Sequence, residues 1–150
     1  MEIKILNSSS FNPYHKGAVS DGKNGVTYSG IFEKQSMTIK CLPVKSSEAR
    51  HRAIEEWFIL KIASALEVGP KVESYFGFDI LMFETCIEFT MEQCEKLIEN
   101  KFNMDLLYWN MSILHFYKIT HRDIKPENIL LSPSYKKLVF IDFGLSTIVK

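Results

Sequence analysis

The sequence predicts an α+β fold in two lobes: an antiparallel sheet lobe with one main helix, then a more helical lobe. Two observations support this. Short strand-like runs separated by glycine fill residues 14–45, and a long helical pattern follows them. Helical patterns then take over in the later part of the chain. This order of elements is typical of α+β folds.

The first part of the chain is predicted to form a tail and strands. Residues 1–12 are mixed and rich in serine, which predicts a loose tail or an edge strand. The runs "GVTYSGIFE" and "MTIKCLPV" alternate apolar and polar residues as strands do. Pro43 has no N–H to donate, so it is expected to end the second run or place it at an edge.

The main helix is predicted within "SSEARHRAIEEWFILKIASALEVG". Ser46 or Ser47 supplies its N-cap, because a serine side chain accepts a hydrogen bond from the first turn. Trp57 and Leu60 share one apolar face at helical spacing, and Gly69 stops the helix.

The later segments are predicted to alternate between strands and helices. "KVESYFGFD" and "ILMFETCIEF" are interpreted as strands, and "TMEQCEKLIEN" as a short helix. "MDLLYWNMSILHFYK" predicts a longer helix with Leu107, Met111 and Leu114 on one face. "KLVFIDFG" predicts a buried strand that ends in Asp142.

Composition excludes several function classes. Lys plus Arg is 18 and Asp plus Glu is 18, so bulk charge does not favour binding to nucleic acid. No secretory signal and no apolar run near the roughly 18 residues of a membrane span occur, so we expect an intracellular, cytoplasmic or nuclear protein. Cys41, Cys86 and Cys94 fit neither a disulfide framework nor a CxxC metal motif, which favours reduced thiols.

The run "HRDIKPEN" carries several polar groups on a predicted loop. An aspartate such as Asp123 accepts a proton from a hydroxyl, and Lys125 neutralises phosphate. The Asn128 amide oxygen is a hard ligand suited to magnesium. Asp142 follows a buried strand, where a carboxylate needs a partner such as a bound cation. Together these residues indicate phosphoryl transfer.

Two further features are weaker when taken alone. Lys40 lies within a predicted strand, and Glu56 on the following helix is a suitable partner for it. Gly22 and Gly25 lie between strands, where paired glycines let backbone N–H groups approach a phosphate. Taken alone, the glycines are better explained by an ordinary hairpin turn.

These features together resemble the signature motifs of the eukaryotic-type protein kinase family, serine/threonine type. The resemblance implies an incomplete kinase domain over residues 13–150, with residues 13–84 as the N-terminal lobe. Residues 85–150 would form the hinge and the start of the C-terminal lobe. The chain ends shortly after Gly144, whereas the family continues with an activation segment and most of the helical lobe.

The resemblance also assigns roles to residues. Asp123 is the catalytic aspartate, Lys125 is the serine/threonine-type lysine, and Asn128 and Asp142 bind Mg²⁺. Gly22, Gly25 and Lys40 contact the ATP phosphates, and Glu56, or alternatively Glu55, pairs with Lys40. "LMFETC" resembles the segment between the lobes, so Phe83 would be the bulky residue beside adenine. The backbone of Glu84 and Cys86 would bind the base.

The sequence departs from the family pattern at several positions. Ser20 replaces the first glycine of the loop, Thr27 replaces a valine and Thr38 an alanine. The two threonines place hydroxyls in an apolar slot, at a cost of about 1 kcal/mol each if the hydroxyls stay unpaired.

The resemblance implies ATP-dependent phosphorylation of a serine or threonine in a protein substrate. The alternative is a non-catalytic module that binds nucleotide or a kinase. In either case, the exposed apolar surface of an incomplete C-terminal lobe favours self-association or a protein partner.

Overall fold

The computed structural model describes most of the 150-residue chain. The described residues are 3–6, 15–22, 25–32, 35–74, 79–97 and 103–149. They form two compact units, one of residues 1–57 with 72–93 and the other of residues 58–71 with 94–150. Residues 7–12 of the predicted tail lie outside the described residues.

The first unit is built on a seven-stranded sheet, counted over the described residues. Its strands are β1 (Ile3–Leu6), β2 (His15–Gly22), β3 (Gly25–Phe32), β4 (Gln35–Pro43), β5 (Val72–Glu73), β6 (Ile80–Phe83) and β7 (Cys86–Glu92). Their order is β1-β6-β7-β4-β3-β2, with β5 also paired to β7. Every pair is antiparallel except β1 with β6. The predicted antiparallel sheet is confirmed.

The main helix, α1, runs from Ser47 to Ala65 and has residues in both units. Ser46 caps it, since its Oγ accepts a hydrogen bond from the N–H of Ala49 at 3.1 Å. Trp57 and Leu60 are buried, as the helical spacing predicts. No helix among the described residues combines the length and the apolar character that crossing a bilayer requires.

The second unit contains helix α2 (Met104–Phe116) and four short strands among its described residues. Strand β8 (Ile119–Thr120) pairs with β11 (Thr147–Ile148), and β9 (Ile129–Ser132) pairs with β10 (Lys137–Phe140). A single 3-10 turn, Pro126–Asn128, precedes β9.

Helix α2 is attached to β10 through a polar contact that its sequence pattern does not reveal. Leu107 and Leu114 are buried as predicted, but Met111 is only partly buried. Asn110 is buried instead, and its Nδ2 donates a hydrogen bond to the Leu138 carbonyl at 2.8 Å. Buried amides of this kind are tolerated because they find a partner.

The prediction of a short helix in "TMEQCEKLIEN" is wrong. Residues up to Glu92 belong to β7, which pairs with β4, and Glu95 forms a bridge with Leu131. Sheet pairing outweighs the moderate helix preference of Glu and Lys here. Residues 98–100 lie outside the described residues.

Candidate functional site

The predicted site residues fall into both units, and each group is described within its own unit. In the first unit, Lys40 Nζ lies 2.5 Å from Glu56 Oε2. The side chains are 14% and 7% exposed, so this ion pair is largely removed from water. Glu55, the alternative partner, is only half-buried on the same helix. An ion pair this buried fixes the lysine in one orientation, because separating the charges would leave each without compensation.

The strand register shows which residues share a sheet face with Lys40. Thr27 on β3 lies directly opposite Lys40, and Thr38 lies two residues before it on β4. Side chains alternate along a strand, so all three project from one face. Both threonines are partly buried. Thr27 and Thr38, the two threonines that depart from the family pattern, therefore lie on the same sheet face as Lys40.

The two predicted loop glycines lie at the facing ends of β2 and β3. Gly22 pairs with Gly25 across the hairpin, and residues 23–24 lie outside the described residues. A Cβ on Gly25 would lie 2.4 Å from the Cys41 carbonyl oxygen and 2.7 Å from a methyl carbon of Leu42. The close approach of β4 therefore requires glycine at position 25.

The structure also differs from the prediction that "LMFETC" links the two lobes. Phe83 ends β6, Cys86 begins β7, and the two strands pair with Met82 opposite Ile87. Glu84 and Thr85 are thus the turn of a hairpin inside the first unit. The Phe83 and Glu84 carbonyls accept hydrogen bonds from Arg50 Nη2, each at 3.1 Å. The Glu84 carbonyl, which was predicted to bind the base, therefore accepts a hydrogen bond from Arg50.

Phe83 also lies on the sheet face opposite to that of Lys40. Phe83 packs with Leu81, Cys86 and Cys41 in one cluster. Cys41 follows Lys40 in β4, so the two side chains point to opposite faces. Local sequence pattern alone did not distinguish a hairpin from a connection between lobes.

The same register identifies Met91 as a residue that the sequence reasoning missed. Met91 lies opposite Thr38, near the end of β7, and is 9% exposed. It therefore projects from the face of Thr38 and Lys40. The first unit ends at Gln93 and the second resumes at Cys94, so the chain passes between the units just after β7. The pairing of β7 with β4, the strand that contains Lys40, is the signal that identifies Met91.

In the second unit, the loop after β8 brings three predicted residues together. Asn128 Nδ2 donates to the Asp123 carbonyl at 2.9 Å and to Asp123 Oδ2 at 3.1 Å. Lys125 Nζ lies 3.7 Å from Asp123 Oδ1. Asn128 is 5% exposed, whereas the Asp123 side chain is 26% exposed. The buried amide thus orients a carboxylate that is still partly exposed to solvent.

His121 holds this loop against the segment that carries Asp142. Its Nδ1 accepts from the N–H of Asp123 at 3.1 Å, so its Nε2 carries the proton and donates to the Ile141 carbonyl at 2.8 Å. Its ring also meets Phe143 edge-on at 5.0 Å between centroids, and His121 is 1% exposed. The motif "HRD" contains this histidine, whose role follows from contacts that the sequence pattern does not reveal.

Asp142 occupies a position that the backbone conformation makes distinctive. Its φ is 59°, in the left-handed region that Asp tolerates better than most residues. Its Oδ1 accepts a hydrogen bond from the Gly144 N–H at 3.2 Å, and its side chain lies at an exposed position. Phe143 is 2% exposed and anchors the turn.

The second unit offers oxygen donors of the type that a hard divalent cation binds. The N–H of Ile141 donates to the Asn128 carbonyl at 2.9 Å, which joins the asparagine to the residue before Asp142. The Asn128 side-chain nitrogen donates its hydrogen bonds to Asp123. The side-chain oxygen of Asn128 is an electron-pair donor that can bind a cation. An amide oxygen and a carboxylate are the oxygen donors that Mg²⁺ prefers.

Comparisons with known proteins agree with this geometry. Residues 15–150 match the family described as "Protein kinase domain". Casein kinase II subunit alpha' of Saccharomyces cerevisiae is 30% identical over 142 residues, which cover 85% of this chain and 40% of the relative. The probable serine/threonine-protein kinase gdt2 of Dictyostelium discoideum is 31% identical over 168 residues, 97% of this chain and 10% of the relative. The chain thus spans at most two fifths of these relatives.

Proposed function

The chain belongs to the protein kinase family, and from this premise we propose that it transfers the γ-phosphate of ATP to a serine or threonine of a protein. The observation that carries the proposal is the arrangement around Asp123. Asn128 and Lys125 contact its carboxylate, and His121 holds its backbone N–H. Of the two relatives described above, one is named a probable serine/threonine-protein kinase and the other a casein kinase II subunit.

In the proposed reaction, Asp123 accepts the hydroxyl proton and orients the attacking oxygen. Lys125 supplies positive charge near the transferred phosphoryl group. Asn128 and Asp142 hold Mg²⁺, which neutralises phosphate charge when bound. Most of the rate enhancement is expected from positioning, as in phosphoryl transfer generally.

In the first unit, Lys40 contacts the α- and β-phosphates of ATP, and Glu56 keeps its ammonium group in place. The buried Lys40–Glu56 ion pair supports these roles. Gly22 and Gly25 supply backbone N–H groups near the phosphates, and this role rests on the family pattern.

We further propose that Met91 borders adenine and that the backbone of residues 92–94 binds it. Met91 shares a sheet face with Lys40 by the strand register, which supports this assignment over Phe83, Glu84 and Cys86.

The proposal extends to location and contacts. We place the protein inside the cell, in the cytoplasm or the nucleus. Helix α2 exposes Tyr108, Trp109 and Phe116, which supports self-association or a protein partner at this helix.

The test is a transfer assay with γ-labelled ATP, Mg²⁺ and degenerate peptides that contain serine and threonine or only tyrosine as acceptors. We expect label on the serine and threonine peptides. Asp123→Asn should lower kcat by roughly 10²–10⁴, the usual contribution of a general base. Transfer by the wild-type chain no faster than by Asp123→Asn would overturn the proposal.

Neighbouring glutamates on α1 provide a matched pair of variants. Glu56→Gln removes the charge that positions Lys40, so it should lower kcat/KM for ATP. Glu55→Gln makes the same chemical change one residue earlier and should stay within about twofold of wild type, because Lys40 pairs with Glu56.

A further inference from the structure

Three metal-binding side chains meet on one face of the sheet in the first unit. Cys41 on β4 lies directly opposite Glu88 on β7, and Cys86 lies two residues before Glu88 on the same strand. All three therefore project from the same face. Their ligand atoms, two thiol sulfurs and a carboxylate oxygen, lie within 4.8 Å of one another. This face is opposite to that of Lys40, so the cluster is separate from the proposed nucleotide contacts.

The cluster is enclosed by protein. Glu88 is 1% exposed, Cys86 is 7% exposed, and Cys41 is partly buried. Leu81 and Phe83 pack against the two cysteines. A carboxyl group in such surroundings is costly to ionise unless a positive charge compensates it. Burial accordingly raises the pKa of Glu88 to about 7.

The positive charge of Arg50 acts on the cluster. Arg50 Nη2 donates to the Phe83 and Glu84 carbonyls at the hairpin turn. Its other terminal nitrogen, Nη1, is buried with no hydrogen-bond partner among the described residues. The hydrogen bond from Cys41 is the main cause that lowers the Cys86 pKa, and the Arg50 charge adds to it. Burial and the neighbouring Glu88 oppose this effect.

We propose that Cys41, Cys86 and Glu88 form a binding site for a zinc ion. Thiolates with a carboxylate are a donor set that suits Zn²⁺, whereas Mg²⁺ and Ca²⁺ take oxygen ligands. Two thiolates and one carboxylate carry three negative charges, so the occupied site has one net negative charge. Arg50 balances that charge, and the formal charge of the enclosed group becomes zero.

The geometry requires little rearrangement. Zinc binds sulfur at about 2.3 Å and carboxylate oxygen at about 2.0–2.2 Å, which places tetrahedral ligand atoms roughly 3.5–4 Å apart. The three ligand atoms lie within 4.8 Å of one another before any ion is added. Side-chain rotations that move these ligand atoms by about 1 Å bring them to the distances that zinc requires. Water supplies the fourth ligand from the side of Cys41, the least buried member of the set.

The proposed ion would join two adjacent strands next to the nucleotide-contacting lysine. Cys41 immediately follows Lys40, and β4 pairs with β7 along its length. A metal bridge between these strands stabilises the folded first unit, because an ion that binds only the folded chain shifts the folding equilibrium.

The test uses the reduced 150-residue chain, stripped of metal with a chelator and then titrated with Co²⁺ as a spectroscopic probe. We expect one equivalent to bind, with thiolate-to-cobalt charge-transfer absorption and tetrahedral d–d bands, and we expect Zn²⁺ to displace it. Zn²⁺ should also raise Tm. Tighter binding at higher pH is expected, because the ligands lose protons when the metal binds.

Three variants locate the site. Cys86→Ser should weaken Co²⁺ binding at least about tenfold and remove most of the charge-transfer band, and Glu88→Gln should weaken binding while both thiolate bands persist. Cys94→Ser is the matched control, because Cys94 lies outside the cluster. Glu88→Gln also keeps the experiment decisive if Cys86→Ser does not fold. No saturable Co²⁺ binding by wild type, or equal loss in Cys94→Ser, would overturn the proposal.

Discussion

Replacing His121 with leucine tests how the loop around Asp123 is held. His121 accepts from the Asp123 N–H and donates to the Ile141 carbonyl, at 3.1 and 2.8 Å. Leucine keeps apolar volume beside Phe143 but leaves both backbone groups without this partner. Each lost bond costs about 0.5–1.5 kcal/mol, and a buried group left unsatisfied costs about 1–3 kcal/mol. His121→Leu should therefore lower the free energy of unfolding by about 2–4 kcal/mol.

The assay is urea unfolding followed by far-UV circular dichroism. His115→Leu is the matched control, since His115 is exposed on α2 and its loss should change stability by less than about 0.5 kcal/mol. In the kinase assay, His121→Leu should lower kcat more than it raises KM for ATP, because it releases the backbone of Asp123. A stability change no larger than that of His115→Leu would refute this account of the loop.

Three other predictions concern stability. Gly25→Ala should lose about 1–3 kcal/mol in urea unfolding, because the added methyl group meets the Cys41 carbonyl at 2.4 Å; wild-type stability would contradict that close packing. Asn110→Leu should lose about 1–3 kcal/mol, because the Leu138 carbonyl loses its buried donor; an unchanged urea midpoint would argue against the contact. In metal-free protein, Glu88 takes up a proton on folding, since its pKa is raised to about 7 by burial. The free energy of unfolding should therefore fall by up to about 3 kcal/mol as the pH rises from about 4.5 to 7. Glu88→Gln should remove most of this pH dependence in a series of urea midpoints. An equal pH dependence in both proteins would contradict the assignment.

For that titration, the surrounding groups matter as well as the carboxyl group itself. Cys41 faces Glu88 from β4, Cys86 lies beside it on β7, and Arg50 contributes positive charge from α1. Burial is the dominant cause of the raised Glu88 pKa, and the hydrogen bond from Cys41 opposes it.

Much of the fold follows from local pattern. Alternation predicted β3 and β4, and helical spacing predicted α1 with Trp57 and Leu60 buried. These signals succeed because each element buries one face. The run before Asp142 was predicted to be a buried strand, and Leu138, Val139 and Phe140 of β10 are indeed buried.

The hinge could not be located from local pattern. "ILMFETC" has the apolar run and polar break expected of a strand that leads out of a lobe. A hairpin turn has the same appearance, and only the pairing of β6 with β7 and of β7 with β4 distinguishes them. Register, a property of three-dimensional pairing, therefore moved the expected bulky residue from Phe83 to Met91.

Distance along the chain also concealed the cysteine cluster. Cys41 and Cys86 are widely spaced, which argued against a metal motif. Strand pairing places Cys41 opposite Glu88 and beside Cys86. Ligand spacing along a sequence identifies sites built on one loop, and it fails for sites built across strands.

The most direct test of the kinase assignment is calorimetry of ATP binding to the 150-residue chain, with and without Mg²⁺. The account predicts binding that Mg²⁺ strengthens, and it predicts that Asp142→Asn abolishes this dependence while the chain stays folded. Binding that is absent in a folded chain, or equal Mg²⁺ dependence in wild type and Asp142→Asn, would contradict it.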